Sequence, residues 1–279
     1  MRVPAAVLFT LLLTATQGQP ALGQRPGAWL GELTWPEAEA RLKAAAVVIV
    51  PFGAGAKEHG PHLPMNADQA VAEYLCRQAI DSLPVVVAPL ILHGWFPAFR
   101  EFPGTEIADP DVFRAYVDAV ATSLIRQGAR RIAFLNTGIR TATGLPISIV
   151  AREIQARTRT PTLVVSWDDL ETPEYEALQQ QRTGGHADEI ETSIHLVLQP
   201  ALVHLERATR DEGRAPSRAP GYRPGSYSRD PRDPDYSTTG ITGDPTLATA
   251  DKGRRALAIL TRQWLAALRA FGEGPLRER

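Results

Sequence analysis

Four apolar runs of strand length constrain this chain most, because they are continuous rather than alternating. They are residues 46–52 (AVVIVPF), 85–92 (VVVAPLIL), 131–136 (RIAFLN) and 162–167 (TLVVSW). A strand with one wet face alternates apolar and polar residues. A run without that alternation suits a strand covered on both faces, as in a parallel sheet. Segments of helical periodicity lie between the runs. One starts at Asp68; a second has Asp109 as N-cap, Pro110 at the first helical position and Gly128 at its end; a third starts at Leu145. This rhythm predicts an α/β fold, a three-layer α/β/α sandwich on a mostly parallel central sheet.

After residues 201–206 the periodicity disappears. Residues from about 207 to 245 are rich in Arg, Pro, Gly, Asp and Ser, which predicts a long polar loop acting as an oligomer contact or a lid. A last amphipathic helix follows. We expect a single domain over residues 24–279, with residues 1–23 as a signal peptide. Arg2 supplies the positive start, residues 3–15 an apolar run too short to span a bilayer comfortably, and residues 21–23 (ALG) the small residues for cleavage. Export to the periplasm or medium follows from that reading, with no membrane attachment after cleavage; the alternative is an uncleaved anchor. Cys76 is the one cysteine, so no intramolecular disulfide forms, and its place in a helical pattern reads as a small buried hydrophobe. The net charge of −1, with no basic block, argues against nucleic-acid binding.

In a parallel sheet, ligands bind beyond the carboxyl ends of the strands. AKEHGPHLPMNAD (56–68) directly follows the first run, and NTGIRT (136–141) follows the third, so both belong on one rim. His59 and Asp68 are the best metal-ligand candidates, since imidazole nitrogen and carboxylate oxygen suit zinc, manganese or iron. Pro61 and Pro64 stiffen the loop between them. His62 is a third donor, a substrate contact or a group that orients the other two. A second cluster, GGHADEIETS (184–193), sets His186 after two glycines at a helix start, where acid–base work is favoured. Asp188 reads as a helix cap, and Glu191 shares its face by i,i+3 spacing. His93 and Trp95, at the end of the second run, are candidates for lining the pocket together with Phe96 and Phe99. His195 and His204 read as core or near-core residues.

These motifs together resemble the creatininase (creatinine amidohydrolase) family. Residues 51–68 are similar to its Glu-Gln-His-Gly-Pro-His-Leu-Pro signature. FPGT (102–105), HADEIETS (186–193) and GITGDPTLATADKGRRAL (240–257) match three further motifs. The resemblance implies an oligomeric amidohydrolase in which metal at the strand ends activates water against the C–N bond of a small cyclic or linear amide. By position it implies His59 and Asp68 as metal ligands, His186 as the histidine that protonates the leaving nitrogen, and Glu191 as the acid beside it. The chain departs from the family pattern in two places. Lys57 stands where the family has its first glutamate ligand, with Glu58 in the neighbouring glutamine position. The histidine expected after the third run is absent, for the chain reads Asn136-Thr137-Gly138-Ile139-Arg140.

Three readings of Lys57 follow. It replaces a lost cation beside one divalent metal held by His59, Asp68 and Glu58 or Glu191, and polarises a carbonyl. It pairs with Asp68 in a metal-free site, and the protein only binds a small molecule. Or it points outward while Glu58 turns in as a ligand. The expected function is metal-dependent amide hydrolysis on a single-metal site.

Overall fold

The computed structural model describes residues 25–182, 184–211, 228–232 and 236–275. The proposed signal peptide and the middle of the polar loop lie outside them. In chain order the elements are β1 (Ala28–Trp29), α1 (Trp35–Ala44), β2 (Val47–Phe52), α2 (Ala67–Ser82), β3 (Val85–Val87) and α3 (Pro110–Arg126). Then come β4 (Ile132–Asn136), α4 (Leu145–Thr158), β5 (Thr162–Ser166), α5 (Pro173–Glu176), α6 (Glu189–Leu198) and α7 (Ala250–Glu273). All the strand pairs are parallel, in the order β1-β3-β2-β4-β5.

Both faces of the sheet are covered, which explains the continuous apolar runs. Along β2, Val47 and Ile49 pack with Leu75 of α2, Ile194 of α6 and Trp264 of α7. The intervening Val48, Val50 and Phe52 pack with Phe113 and Val117 of α3 and Val150 of α4. Successive strand side chains point to opposite faces, so each apolar residue finds a helix. Fully burying a residue such as Leu75 or Phe113 contributes roughly 1.5–3 kcal/mol.

Pro51 lies inside central strand β2 without breaking it. It faces the β3 side, where β3 has already ended at the Val87–Ile49 pairing, and its carbonyl accepts from Ile91 N at 3.0 Å. No ladder bond is lost for want of its N–H. The run at 85–92 is shorter as a strand than expected, because Pro89 ends the regular pairing. Edge strand β1, two residues long, carries no sequence signal of its own. The cap at Asp109 is as read: its Oδ1 accepts from Asp111 N at 2.9 Å and Val112 N at 3.4 Å.

The strand order reverses between β2 and β4. Chain leaving their carboxyl ends diverges there and opens a crevice. Gly53 tightens it: a Cβ at this position would meet the Asp68 carbonyl at 2.7 Å, so only glycine lets α2 start so close to the end of β2. Among the described residues no helix is long and apolar enough to cross a membrane.

Candidate active site

The crevice is a cleft of about 420 Å³ whose floor includes Lys57, Asp68, Thr137, His186 and Glu191. Lys57, Glu58 and His59 come from the loop after β2, Asp68 from the first turn of α2, Thr137 from the end of β4, and Glu191 from the first turn of α6. The Thr137 hydroxyl lies 2.8 Å from the Asp68 carbonyl and 3.2 Å from that of Phe52, joining β4, β2 and α2 at the floor.

Lys57 points inward. Its Nζ lies 2.9 Å from Asp68 Oδ2, as an ion-pair contact rather than a well-directed hydrogen bond. Both side chains are buried, at 3% and 2% exposure, so the charges compensate each other instead of being solvated. The outward reading of Lys57 is therefore corrected. Burial by itself would raise the Asp68 pKa; the nearby Lys57 and His59 outweigh it and hold the carboxyl far below its usual range.

His59 Nδ1 lies 2.9 Å from the Lys57 carbonyl and Nε2 lies 3.1 Å from Asp68 Oδ1. Nδ1 must carry a hydrogen to bond a carbonyl. The contact of Nε2 with a carboxylate is then favourable only with a proton on Nε2 or a cation between the two atoms. His59, His186 and Glu191 each offer a ligand atom, all within 4.8 Å of one another. With Asp68 Oδ1 alongside, the set is nitrogen and carboxylate oxygen, which fits a divalent ion. It offers no donors for a second ion beside Asp68. The Lys57 ammonium stands at the far oxygen of Asp68, and β4 is followed by the Arg140 guanidinium instead of a donor.

Glu58 does not turn toward this donor set, contrary to its reading as a metal ligand. Its Oε2 pairs with His186 Nε2 at 2.9 Å, and its Oε1 accepts from Gly60 N. Gly240 makes room for the carboxylate. It has a φ of +72°, and a Cβ there would overlap Glu58. Burial alone would push the Glu58 pKa up, but His186, the Gly60 N–H and His59 together bring it down. Burial alone would push His186 down, yet Glu58 outweighs it and raises the imidazole above its ordinary value. The ring of Phe99 packs 4.2 Å from that of His186. On the other side, His186 Nδ1 lies 3.9 Å from Glu191 Oε2, which accepts from Ala187 N. Ala187 itself is held at φ +51°, a left-handed conformation uncommon for a residue with a Cβ.

Asp188 caps α6 as read, its Oδ1 accepting from Ile190 N at 2.9 Å and Glu191 N at 3.0 Å. His62 is placed off the cleft wall. It is fully buried, its Nε2 is 2.8 Å from Thr192 Oγ1, and burial above all draws its pKa down to about 4. His93 is exposed and pairs with Glu106 at 2.7 Å, and Trp95 does not line the cleft either. Both were expected in the pocket, but the chain turns away after Ile91, leaving Phe99 to reach the site. Sequence reasoning placed Arg140 on this rim but missed the rest of the far wall: Trp167, Asp168, Glu171 and Tyr175. The rule that loops after strand ends make the site applies equally to residues 166–171 after β5, and would have flagged most of them.

A family model described as creatinine amidohydrolase matches residues 31–268. A creatinine amidohydrolase from Pseudomonas putida is 30% identical over 197 residues, 64% of this chain and 75% of that protein. A mycofactocin precursor peptide peptidase from Mycobacterium tuberculosis is 28% identical, covering 83% of this chain and 88% of its own length. A 3-dehydro-scyllo-inosose hydrolase from Thermotoga maritima is 27% identical, covering 85% and 81%. Among solved structures, a mutant creatininase complexed with creatine superposes with a TM-score of 0.74 at 27% identity, over 88% of this chain and 99% of that one. A manganese creatininase gives 0.73 at 26% identity, over the same 88% and 99%.

Proposed function

The chain belongs to the creatininase family, and from that premise we propose that it hydrolyses the C–N bond of a small amide at a site holding one divalent metal ion. The observation that carries this reading is the floor of the cleft. His59 and Glu191 offer ligand atoms within 4.8 Å of each other, with His186 as near to act on a bound substrate, while the position beside the outer oxygen of Asp68 is taken by Lys57.

His59 and Glu191 would hold the ion, with Asp68 Oδ1 beside His59 Nε2 at 3.1 Å as a further oxygen donor on that side. Bound there, it would polarise the amide carbonyl and lower the pKa of a coordinated water. Lys57 supplies a fixed positive charge on the same floor, where oxyanion charge develops as the carbonyl is attacked. His186 holds the proton for the leaving nitrogen. Its Nε2–H donates to the Glu58 carboxylate, which leaves Nδ1 as the atom that carries and delivers that proton. An imidazole made more basic by a buried carboxylate retains its proton, so it acts as an acid instead of surrendering a lone pair to metal. Glu191, next to Nδ1, stabilises the protonated ring.

The chain is also proposed to be exported, on the evidence of its first 23 residues, and to form a homo-oligomer. For the latter, Val112 and Tyr116 of α3 and Leu145 and Ile149 of α4 remain exposed on neighbouring helices, a face that a second copy would cover.

Metal analysis of the purified protein tests the site reading. One equivalent per chain is expected, falling to traces in His59→Ala. In His186→Ala the metal should be retained while amide hydrolysis, read as amine or ammonia release over a panel of amides, is lost. Traces of metal in the wild type after metal-replete expression would overturn the single-metal site. Loss of metal in His186→Ala would make His186 a ligand.

A further inference from the structure

The charges of the cleft wall define what it can accept. Besides His186, which pairs with Glu58, two basic side chains, Lys57 and Arg140, face five acidic ones: Asp68, Asp168, Glu171, Asp188 and Glu191. Both cations are already taken. Lys57 is paired with Asp68, and Arg140 bridges Asp168 at 2.8 Å and Asp169 at 2.7 Å. Both oxygens of Asp188 are occupied, Oδ1 by the first N–H groups of α6 and Oδ2 by Gln181 Nε2 and Gly185 N. Glu191 accepts from Ala187 N beside His186, and belongs to the donor set for the ion.

Glu171 is left over: it is exposed and lines the cleft, its charged neighbours include the acids Asp168, Asp188 and Glu176, and it makes no ion pair among the described residues. The Trp167 indole N–H donates to Tyr175 Oη at 3.1 Å, which anchors the ring in the same wall as Glu171. A carboxylate with no counter-ion among the described residues, in the same cavity wall as an anchored indole, is the chemistry that receives a cation through an ion pair and a ring contact. Binding of the catalytic ion does not alter this, because Glu171 lies outside the donor set.

We propose that the outer part of the cleft is a cation subsite, with Glu171 as the specificity-determining residue. An ammonium or guanidinium group of the substrate sits against Glu171 and Trp167 while its amide lies over Lys57 and His186. The substrate class is thus a cationic amide, and anionic amides are disfavoured because Lys57, Arg140 and His186 are each already paired with a carboxylate of the site. The inference rests on the hydrolase reading of the floor.

Calorimetric binding of three matched amides tests it, run with spacers of three to six carbons: an ω-amino alkanamide, the unsubstituted alkanamide and the dicarboxylic acid monoamide. At the best spacing the cationic probe should bind roughly five- to tenfold more tightly than the neutral one, with the anionic probe weakest. Glu171→Gln should bring the cationic and neutral probes together, and Glu171→Asp should restore part of the difference. Equal affinities at every spacing, no measurable binding of the cationic probe, or a preference that survives in Glu171→Gln would each overturn the subsite. Amine or ammonia release is measured in parallel. A charge preference without any turnover counts against hydrolysis alone, whereas turnover without a charge preference counts against the subsite alone.

Discussion

Replacing Lys57 with methionine tests whether its ammonium balances Asp68 at the floor of the cleft. Methionine keeps the length and apolar stem of lysine and removes only the charge. The Asp68 carboxylate, 2% exposed, then loses the cation 2.9 Å from its Oδ2. Removing one partner of a buried pair costs about 3–5 kcal/mol. Protonation of Asp68 caps that loss. Holding a proton at pH 7 on a carboxyl of ordinary pKa about 3.9 costs about 1.36 kcal/mol per pH unit, or about 4 kcal/mol. His59, 3.1 Å from the other oxygen, offsets part of this. The expected destabilisation is about 2–4 kcal/mol, read by urea denaturation of chelator-treated protein. The sign of its pH dependence follows from the lowered Asp68 pKa. Such a group contributes stability above its unfolded pKa and loses it as pH falls through the folded value. The gap between wild type and Lys57→Met should therefore be full at pH 7 and narrow as pH drops into the carboxyl range. Added zinc or manganese should recover more stability in the variant than in the wild type, since a metal ion can take the vacated position beside Asp68. A loss below about 1 kcal/mol that does not change with pH would refute the argument, because a charge left alone at such burial costs more than that.

Glu58→Gln removes the carboxylate that raises the His186 pKa, so the His186 titration followed by NMR should move to lower pH. An unchanged midpoint would show that Glu58 does not tune the ring. For stability, the lowered Glu58 pKa contributes above about 4.5 and the raised His186 pKa contributes below about 6.5, so the variant's deficit should be largest between those values. Gly240→Ala should destabilise by more than the roughly 1–2 kcal/mol of a left-handed alanine, because the new methyl overlaps Glu58. Adding Glu58→Ala should relieve the excess, and a double variant with no relief would reduce the effect to backbone strain. Glu189 is fully buried, with Oε1 on Lys252 Nζ and Oε2 accepting from Gln180 N and Gln181 N at 2.8 Å each. Glu189→Gln should cost about 3 kcal/mol in urea denaturation, and a loss under about 1 kcal/mol would mean that the Lys252 charge is solvated in its place.

The layered fold was legible in the sequence because burial on both faces of a sheet leaves a local mark. The continuous runs around Val48, Phe134 and Val164 identify such strands, and the caps at Asp109 and Asp188 follow from short side chains bonding N–H groups two or three residues away. Placing His59 and Asp68 at a strand end needed only the same local reasoning. Side-chain pairing leaves no such mark. Glu58 meets His186 across 128 residues, His62 meets Thr192 across 130, and Arg140 reaches Asp168 across 28. Each choice was settled when α6 docked beside the β2 loop and the turn after β5 closed on the end of β4. The sequence by itself determined where charged and metal-binding groups would gather, through strand order and helix starts. Only the tertiary structure decided that Lys57 turns to Asp68 and Glu58 to His186. In a buried site each charge goes to the nearest group that compensates its desolvation, and that group is known only after the elements have packed.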